Sequence, residues 1–514
     1  MTKPVLILGG GINGAAVARE LLLGGANVWI VDTADLACGA TAYSSRLIHG
    51  GLRYLEFAEF SLVKESLVER ARLLQLAPHL VRPLRLFIPV RNRWGGMALA
   101  AGKFFGLPWK AKRSEHRGLR VVQAGLWLYD RYAKGGVLPP RSLHRLDEEG
   151  VPRVNRDLAR WLWAYSDAQV IYPERLVIGF LTDARRLASE RGLDFRVFTY
   201  TRATLRGTTV ELRPAADASE LTATLEPAAI INATGAWVDR TLARLPLPSR
   251  RLMGGTKGSH LLTYNAKVKE LLAGQAIYAE ARDGRPVFVL PFLEGTLVGT
   301  TDIPFEGDPA NAVATDAELD YLLAAVNEIL PEAHLDRGDI AMHYCGVRPL
   351  PFVDAKTPAA ITRRHRLVWH DEAPLPLVSL VGGKLTTCRS LAEETVAAVL
   401  SRIRQTVPDA GLATPENSRE RPIPRTPVDD FLFEEPTCWS SAAAWAIQHE
   451  WATTLEDLVE RRLMFHFSPH LSRALLADLA DILIQQKRLA PAAKNAAIER
   501  CAARLQSHFG IPLS

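Results

Sequence analysis

The opening thirty-two residues constrain this chain most. Val5 to Leu8 form a short, wholly apolar run, the pattern of a parallel strand buried on both faces. Gly9-x-Gly11-x-x-Gly14 follows at once. Ala15, Ala18, Leu21 and Leu22 then recur at helical spacing until Gly24-Gly25 stops the helix. A second apolar run, Asn27 to Val31, ends at Asp32. Strand, glycine turn, helix, strand and acid follow one another without slack, and each has a physical task. Gly9 permits the tight turn, and Gly11 lets backbone approach a pyrophosphate at the helix N-terminus. Gly14 allows close helix–strand packing, and the Asp32 carboxylate accepts a hydrogen bond from a ribose hydroxyl. The unit predicts a dinucleotide cofactor but does not separate FAD from NAD.

The remainder of the chain is long enough for more. At about 150 residues per domain, 514 residues imply about three domains. A hydrophobic share of 48% with 23% charged residues excludes wholesale disorder. The formal charge of +6 is too mild for a dedicated nucleic-acid binder. It fits an anionic substrate, an anionic cofactor or an acidic membrane surface. Five scattered cysteines without a CxxC pair predict neither a disulfide framework nor a metal site, and a reducing cytoplasmic compartment is expected. Lys3 precedes the first apolar run, but the glycines and the Arg19-Glu20 pair read as strand, turn and helix rather than a signal peptide. No uncharged apolar stretch of 18 residues occurs, so no transmembrane helix is expected.

Further along, residues 55–76 predict a helix, and strands are expected at Phe195–Thr199, Val210–Leu212, Ala229–Ile231, Val287–Pro291 and Thr296–Thr300. Thr315 with Glu318 forms a capping box ahead of Leu319, Leu322, Leu323, Val326 and Leu330. Residues 405–430 are polar, hold five prolines and read as a linker. From Ser441 the pattern is helical, over 441–450, 455–464, 472–487 and 491–508, closed by Gly510. Residues 91–120 mix Trp94, Phe104, Phe105 and Trp109 with eight lysines and arginines, and Leu126–Tyr129 extends the aromatic character. That composition suits an interfacial surface as well as an ordinary loop.

Three further segments carry chemistry. Residues 40–54 hold small hydroxyl residues and glycines, then His49 and Arg53 four apart. Ile230–Trp237 is a strand running into a small-residue turn, and Gly382-Gly383-Lys384 is a second glycine turn before a helix. Together with GGGINGA (9–15), KGSH (257–260), VGTTD (298–302) and GVRPL (346–350), the run DLACGATAYSSRLIHGGLRYLE (35–56) resembles the FAD-dependent, quinone-linked glycerol-3-phosphate dehydrogenase family. The likeness extends over about residues 4–400 and into the tail at 450–457 and Arg461-Arg462.

The resemblance implies an α/β fold. A Rossmann-like FAD-binding domain of the glycine-oxidase and D-amino-acid-oxidase type would come from about 1–75, 150–240 and 345–400. A substrate domain with an antiparallel sheet would come from 76–149 and 241–344, followed by a linker at 401–424 and a helical cap at 425–514. It implies that FAD is held by Gly9, Gly11, Gly14, Asp32, Ser44, Ser45, Gly51, Ala233, Gly235, Gly383, Leu385 and Thr386. It implies a catalytic set of His49, Arg53, Lys257, His260, Arg348 and Lys384. The implied reaction takes sn-glycerol 3-phosphate to dihydroxyacetone phosphate and passes electrons to quinone. Peripheral membrane attachment at the cytoplasmic face is implied, with no nucleic-acid partner and a homodimer left open. Asp32 stands where such proteins usually carry Glu, and Val170–Arg175 departs from a more acidic pattern. His49 is the candidate base and His260 its rival. An oxygen-using oxidase, an FAD enzyme for another small substrate, and a non-catalytic flavin protein are the competing readings.

Overall fold

The computed structural model describes residues 3–92, 119–133, 138–217, 219–245, 247, 250–353, 364–406, 413, 416–433 and 438–513. Its opening unit folds as the pattern requires. Val5–Leu8 pairs in parallel with Val28–Val31 on one side and Ala229–Asn232 on the other. All three strands are wholly buried, which is why their sequences run apolar rather than alternating. Phe195–Phe198 and Leu377–Val381 extend the parallel sheet, and Arg366–Trp369 closes one edge antiparallel. Helix Ile12–Leu23 lies against helices Pro173–Arg191 and Cys388–Thr406, and the three bury Val17, Leu21, Leu181, Leu187 and Val396 in one core.

A second sheet of ten strands is almost entirely antiparallel. Met253–Thr263 and Met342–Pro351 form its longest ladder, matched by that of Val81–Val90 with Trp161–Val170. Trp161–Val170 falls in the 150–240 range, and most of Met342–Pro351 in the 345–400 range, expected for the FAD-binding domain. They join the larger sheet instead, because each finds an unbroken ten-residue antiparallel partner there. The chain thus passes between the two sheets repeatedly. Thr315 caps helix Asp316–Ile329 with the expected capping box to Glu318.

The C-terminal part holds helices Pro427–Phe433, Trp439–His449, Arg473–Gln485 and Lys494–Phe509. Gly510, at φ +66°, ends the last one. The helix expected over 455–464 is a π-helical turn, Asp457–Arg462, with all six residues buried. Its charged side chains are engaged by the rest of the molecule, which sets its winding. The helices share a core with the larger sheet, where Leu458, Leu479 and Phe509 meet Tyr344 and Phe292. Within the described part of the expected linker, the preceding helix continues to Thr406, Arg421 pairs with Asp183, and the Ile423 N–H bonds to the Leu76 carbonyl. Among the described residues, no helix is long and apolar enough to cross a membrane.

The aromatic and basic segment falls largely on residues 93–118, which lie outside the described residues. Of its extension, Leu126 and Tyr129 are core residues, whereas Trp127 is 54% exposed on helix Leu119–Tyr132.

Candidate active site

A cavity of about 950 Å³ lies between the carboxyl ends of the parallel strands and one face of the larger sheet. At one end stands the glycine turn. Gly9 has φ +107°, and a Cβ there would sit 2.7 Å from the Ala233 carbonyl oxygen. A Cβ on Gly14 would overlap the Gly9 carbonyl, so this glycine serves helix–strand packing and does not line the cavity. Gly11 caps the helix, faces the cavity and is met only by Thr41 Oγ1 at 3.5 Å. No acidic side chain occupies the helix's first turn. A helix N-terminus open to a cavity favours an anion. Asn13 also lines it, and its buried Oδ1 accepts no hydrogen bond.

Asp32 accepts hydrogen bonds from Gly10 N at 2.7 Å and Ala34 N at 2.9 Å. Burial outweighs both bonds and pushes its pKa up to about 6. This end therefore offers a helix N-terminus, an unfilled glycine approach and an acceptor for a hydroxyl. That donor and acceptor set fits a dinucleotide such as FAD.

The candidate chemistry lines the same cavity. His49 lines the cavity, and its N–H donates to Thr386 Oγ1 at 3.1 Å. The loop behind it is fixed by buried Asp167, which accepts from Arg70 and Tyr129 at 2.6 Å each and from Gly50 N at 3.2 Å. Lys384 places its ammonium 3.8 Å from the centre of the Tyr54 ring and donates to Ser66. His260 stacks on Tyr344 with ring centres 4.8 Å apart, and its Nε2 lies 2.8 Å from Ser45 Oγ. Burial, then the charges of Arg348 and Arg46, hold its pKa well below the usual range, so this ring is neutral. Arg348 reaches Asp302 at 3.0 Å, Thr300 Oγ1 at 2.8 Å and the Thr301 carbonyl at 2.9 Å.

Of the expected cofactor residues, Gly9, Gly11, Asp32, Ser44, Ser45, Ala233, Gly235, Gly383, Leu385 and Thr386 line the cavity, and Gly14 and Gly51 do not. Of the expected catalytic residues, His49, His260, Arg348 and Lys384 line it. Arg53 is half-buried on the turn Leu52–Phe57 and lies off the lining. Lys257 also lies off it. Its ammonium pairs with Glu318 at 2.7 Å, and Glu318 also accepts from Ser259 and Thr301. Its place is behind Arg348, steadying the Thr301 backbone that the guanidinium contacts.

Reading the sequence alone missed several lining residues. Tyr54 lines the cavity directly after the His49–Arg53 run but was given no role, while Thr300 and Asp302, unassigned within VGTTD, lie off the lining and anchor Arg348. Thr454, Glu456, Arg461, Arg500, Arg504 and His508, all from the C-terminal helices, line the same cavity. Thr454, Glu456 and Arg461 fall in the tail segments of the resemblance but were given no site role, and no local signal marks Arg500, Arg504 and His508, which lie hundreds of residues from the glycine turn.

Residues 4–387 match the FAD dependent oxidoreductase family. The glycerol-3-phosphate dehydrogenase of Synechocystis sp. is 33% identical, covering 94% of this chain and 84% of its own. The aerobic glycerol-3-phosphate dehydrogenase of Escherichia coli is 36% identical over 76% of this chain and 72% of its own. The D-erythritol 1-phosphate dehydrogenase of Brucella abortus is 34% identical with the same coverage. The FAD-complexed glycerol-3-phosphate dehydrogenase of Bacillus halodurans shares the fold, with a TM-score of 0.71 and 19% identity, over 99% of this chain and 95% of its own. With the cavity fitting the cofactor, these matches establish that the chain belongs to the FAD-dependent oxidoreductases, within the glycerol-3-phosphate dehydrogenase family.

Proposed function

We propose that the protein oxidises sn-glycerol 3-phosphate at C2 to dihydroxyacetone phosphate and passes the electrons to quinone. The observation that carries this reading is that Arg348, Lys384, His49 and His260 line one cavity together with the dinucleotide turn. Two cations suit a small phosphate ester. FAD, when bound, supplies the acceptor for the hydride leaving C2. The chain's own residues bind, orient and move the proton. The guanidinium of Arg348, held in place by Asp302, Thr300 and the Thr301 carbonyl, presents its charge to phosphate or the C2 oxygen. Lys384, steadied over Tyr54, acts as a point charge. His49 takes the hydroxyl proton as C2–H leaves. His260, kept neutral and weakly basic by its surroundings, orients Ser45 rather than acting as the base.

Electron delivery to quinone places the protein peripherally at the cytoplasmic face of a membrane. The aromatic and basic residues of 91–120 would make the contact, and Trp127 is exposed. A longer polyol phosphate is the second substrate reading, favoured by the D-erythritol 1-phosphate dehydrogenase at 34% identity.

Anaerobic addition of glycerol 3-phosphate to the FAD-loaded protein should bleach the flavin absorbance. Bound flavin that stays oxidised with this substrate but bleaches with erythritol phosphate would transfer the assignment. A quinone analogue should then restore the colour faster than air does, and peroxide as the main product under air would mark an oxidase. Liposome flotation of wild type against a Trp94, Phe104 and Phe105 to Ser variant tests the membrane contact, and equal flotation would remove it.

A further inference from the structure

The C-terminal helices reach the cofactor end of the cavity through one buried ionic cluster. Asp35, three residues past Asp32, is 1% exposed. Arg462 grips it with two parallel bonds of 2.9 Å each, and Arg461 Nε adds a third at 2.6 Å. Arg461 also bonds at 3.0 Å to Asp457, which accepts from the Thr453 and Thr454 N–H groups. Tyr200 donates its hydroxyl to the same Asp457 carboxylate. The backbone of Tyr200 and Thr201 is in turn bonded to the turn after the second strand: Tyr200 N to the Ala34 carbonyl at 3.0 Å, and Thr201 N to the Asp32 carbonyl at 2.8 Å. The turn carrying the expected ribose acceptor is therefore tied twice to the π-helical turn Asp457–Arg462, once through Asp35 and once through Tyr200.

We propose that the C-terminal helical region is part of the FAD site. In this reading the Asp35–Arg461–Arg462–Asp457–Tyr200 cluster positions the Asp32 turn for the adenosine half of the cofactor. None of the five acts on substrate. Arg462 and Asp457 act through the Asp32 turn as positioning residues, Asp35, Tyr200 and Arg461 also line the cavity themselves, and helix docking and FAD retention are coupled. A ligand that binds the docked arrangement better must stabilise it by the same factor. A buried charge pair left half-made releases the segment it holds. A second buried cluster gives an internal comparison. Arg175 joins the helices to the rest through Glu450, Asp429 and Thr426, without touching the Asp32 turn.

The test is FAD release from the holoenzyme, followed by the rise in free-flavin fluorescence on dilution at a temperature well below melting. Asp35→Asn should release FAD about tenfold faster or more, the scale typical of outer-shell partners. Tyr200→Phe, which keeps the ring and removes the hydroxyl that contacts Asp457 and Thr454, should release it faster by a smaller factor. Arg175→Gln should lower the melting temperature with release unchanged, and excess free FAD should restore the melting temperature of Tyr200→Phe. If Asp35→Asn does not fold, Tyr200→Phe and Arg175→Gln carry the comparison. Wild-type release rates in folded Asp35→Asn or Tyr200→Phe would overturn the proposal. So would an equal acceleration in Arg175→Gln, which would reduce the cluster to general stability.

Discussion

Replacing Asp32 by Asn should move the apoprotein and the holoenzyme in opposite directions. Folding raises the Asp32 pKa from an ordinary 3.8 to about 6, with burial as the main cause. A carboxyl group whose pKa rises on folding holds its proton more tightly in the folded state. Its contribution to stability is fully present below 3.8 and is lost as pH rises through about 6. That displacement corresponds to about 3 kcal/mol in total, roughly half of it lost between pH 5 and 8. Asp32 lines an open cavity, so water screens it and about 1 kcal/mol is the expected share over that interval. Asn does not titrate, so the apoprotein variant should lose about 1 kcal/mol less than wild type from pH 5 to pH 8. In the same protein FAD should bind about tenfold more weakly, because a charged acceptor for the ribose becomes a neutral one. A change of this size moves the melting temperature of so long a chain by only about 1 °C, so urea midpoints at the two pH values are the better assay. Equal pH dependence in variant and wild type would refute the burial argument. Unchanged FAD affinity would remove Asp32 from the cofactor site.

Other perturbations separate neighbouring roles. Gly11→Ala puts a methyl group into open cavity and Gly14→Ala drives one into the Gly9 carbonyl. Thermal unfolding of the apoproteins should show Gly11→Ala near wild type and Gly14→Ala clearly lower, while FAD titration should show Gly11→Ala as the defective binder; a destabilised Gly11→Ala would contradict the open approach. The kcat/KM profile of His260→Gln should keep the acid limb of wild type, since His260 is already neutral there, and His49→Ala should lose it; the reverse result would make His260 the base. Arg348→Lys loses the planar guanidinium that Asp302, Thr300 and Thr301 hold in place, so its kcat/KM for glycerol 3-phosphate should fall about 100-fold; a fall under threefold would exclude a guanidinium contact with the substrate. Lys257→Met leaves Glu318 buried without its cation and should cost about 3 kcal/mol of stability with KM little changed; a large KM rise at unchanged stability would return Lys257 to the substrate site.

How much was legible in the sequence depended on distance along the chain. The strand–glycine–helix–strand–acid unit spans residues 5–32, and every constraint on it is local. Apolar runs, φ-permissive glycines and helix periodicity act between near neighbours, so the turn could be read before any contact was known. The Thr315 capping box and the Gly510 stop were legible for the same reason. His49, Arg348 and Lys384 were named through motifs, but their convergence in one cavity belongs to the tertiary structure. Three outcomes had no local signal. Lys257 sits one strand residue from Gly258 and points to Glu318 instead of the cavity, because successive strand side chains face opposite ways and an acid was waiting on that side. The strands Trp161–Val170 and Met342–Pro351 joined the larger sheet because pairing is chosen by partner length and register, which no single strand encodes. The turn at Asp457–Arg462 wound as a π-helix around charges supplied from Asp35, more than four hundred residues earlier. Sequence alone determined the strand, glycine turn, helix, strand and acid of residues 5–32, because short-range sterics and helix electrostatics suffice for that. Which distant side chains complete the cavity was decided only by folding, because buried charges must find partners wherever the chain has carried them.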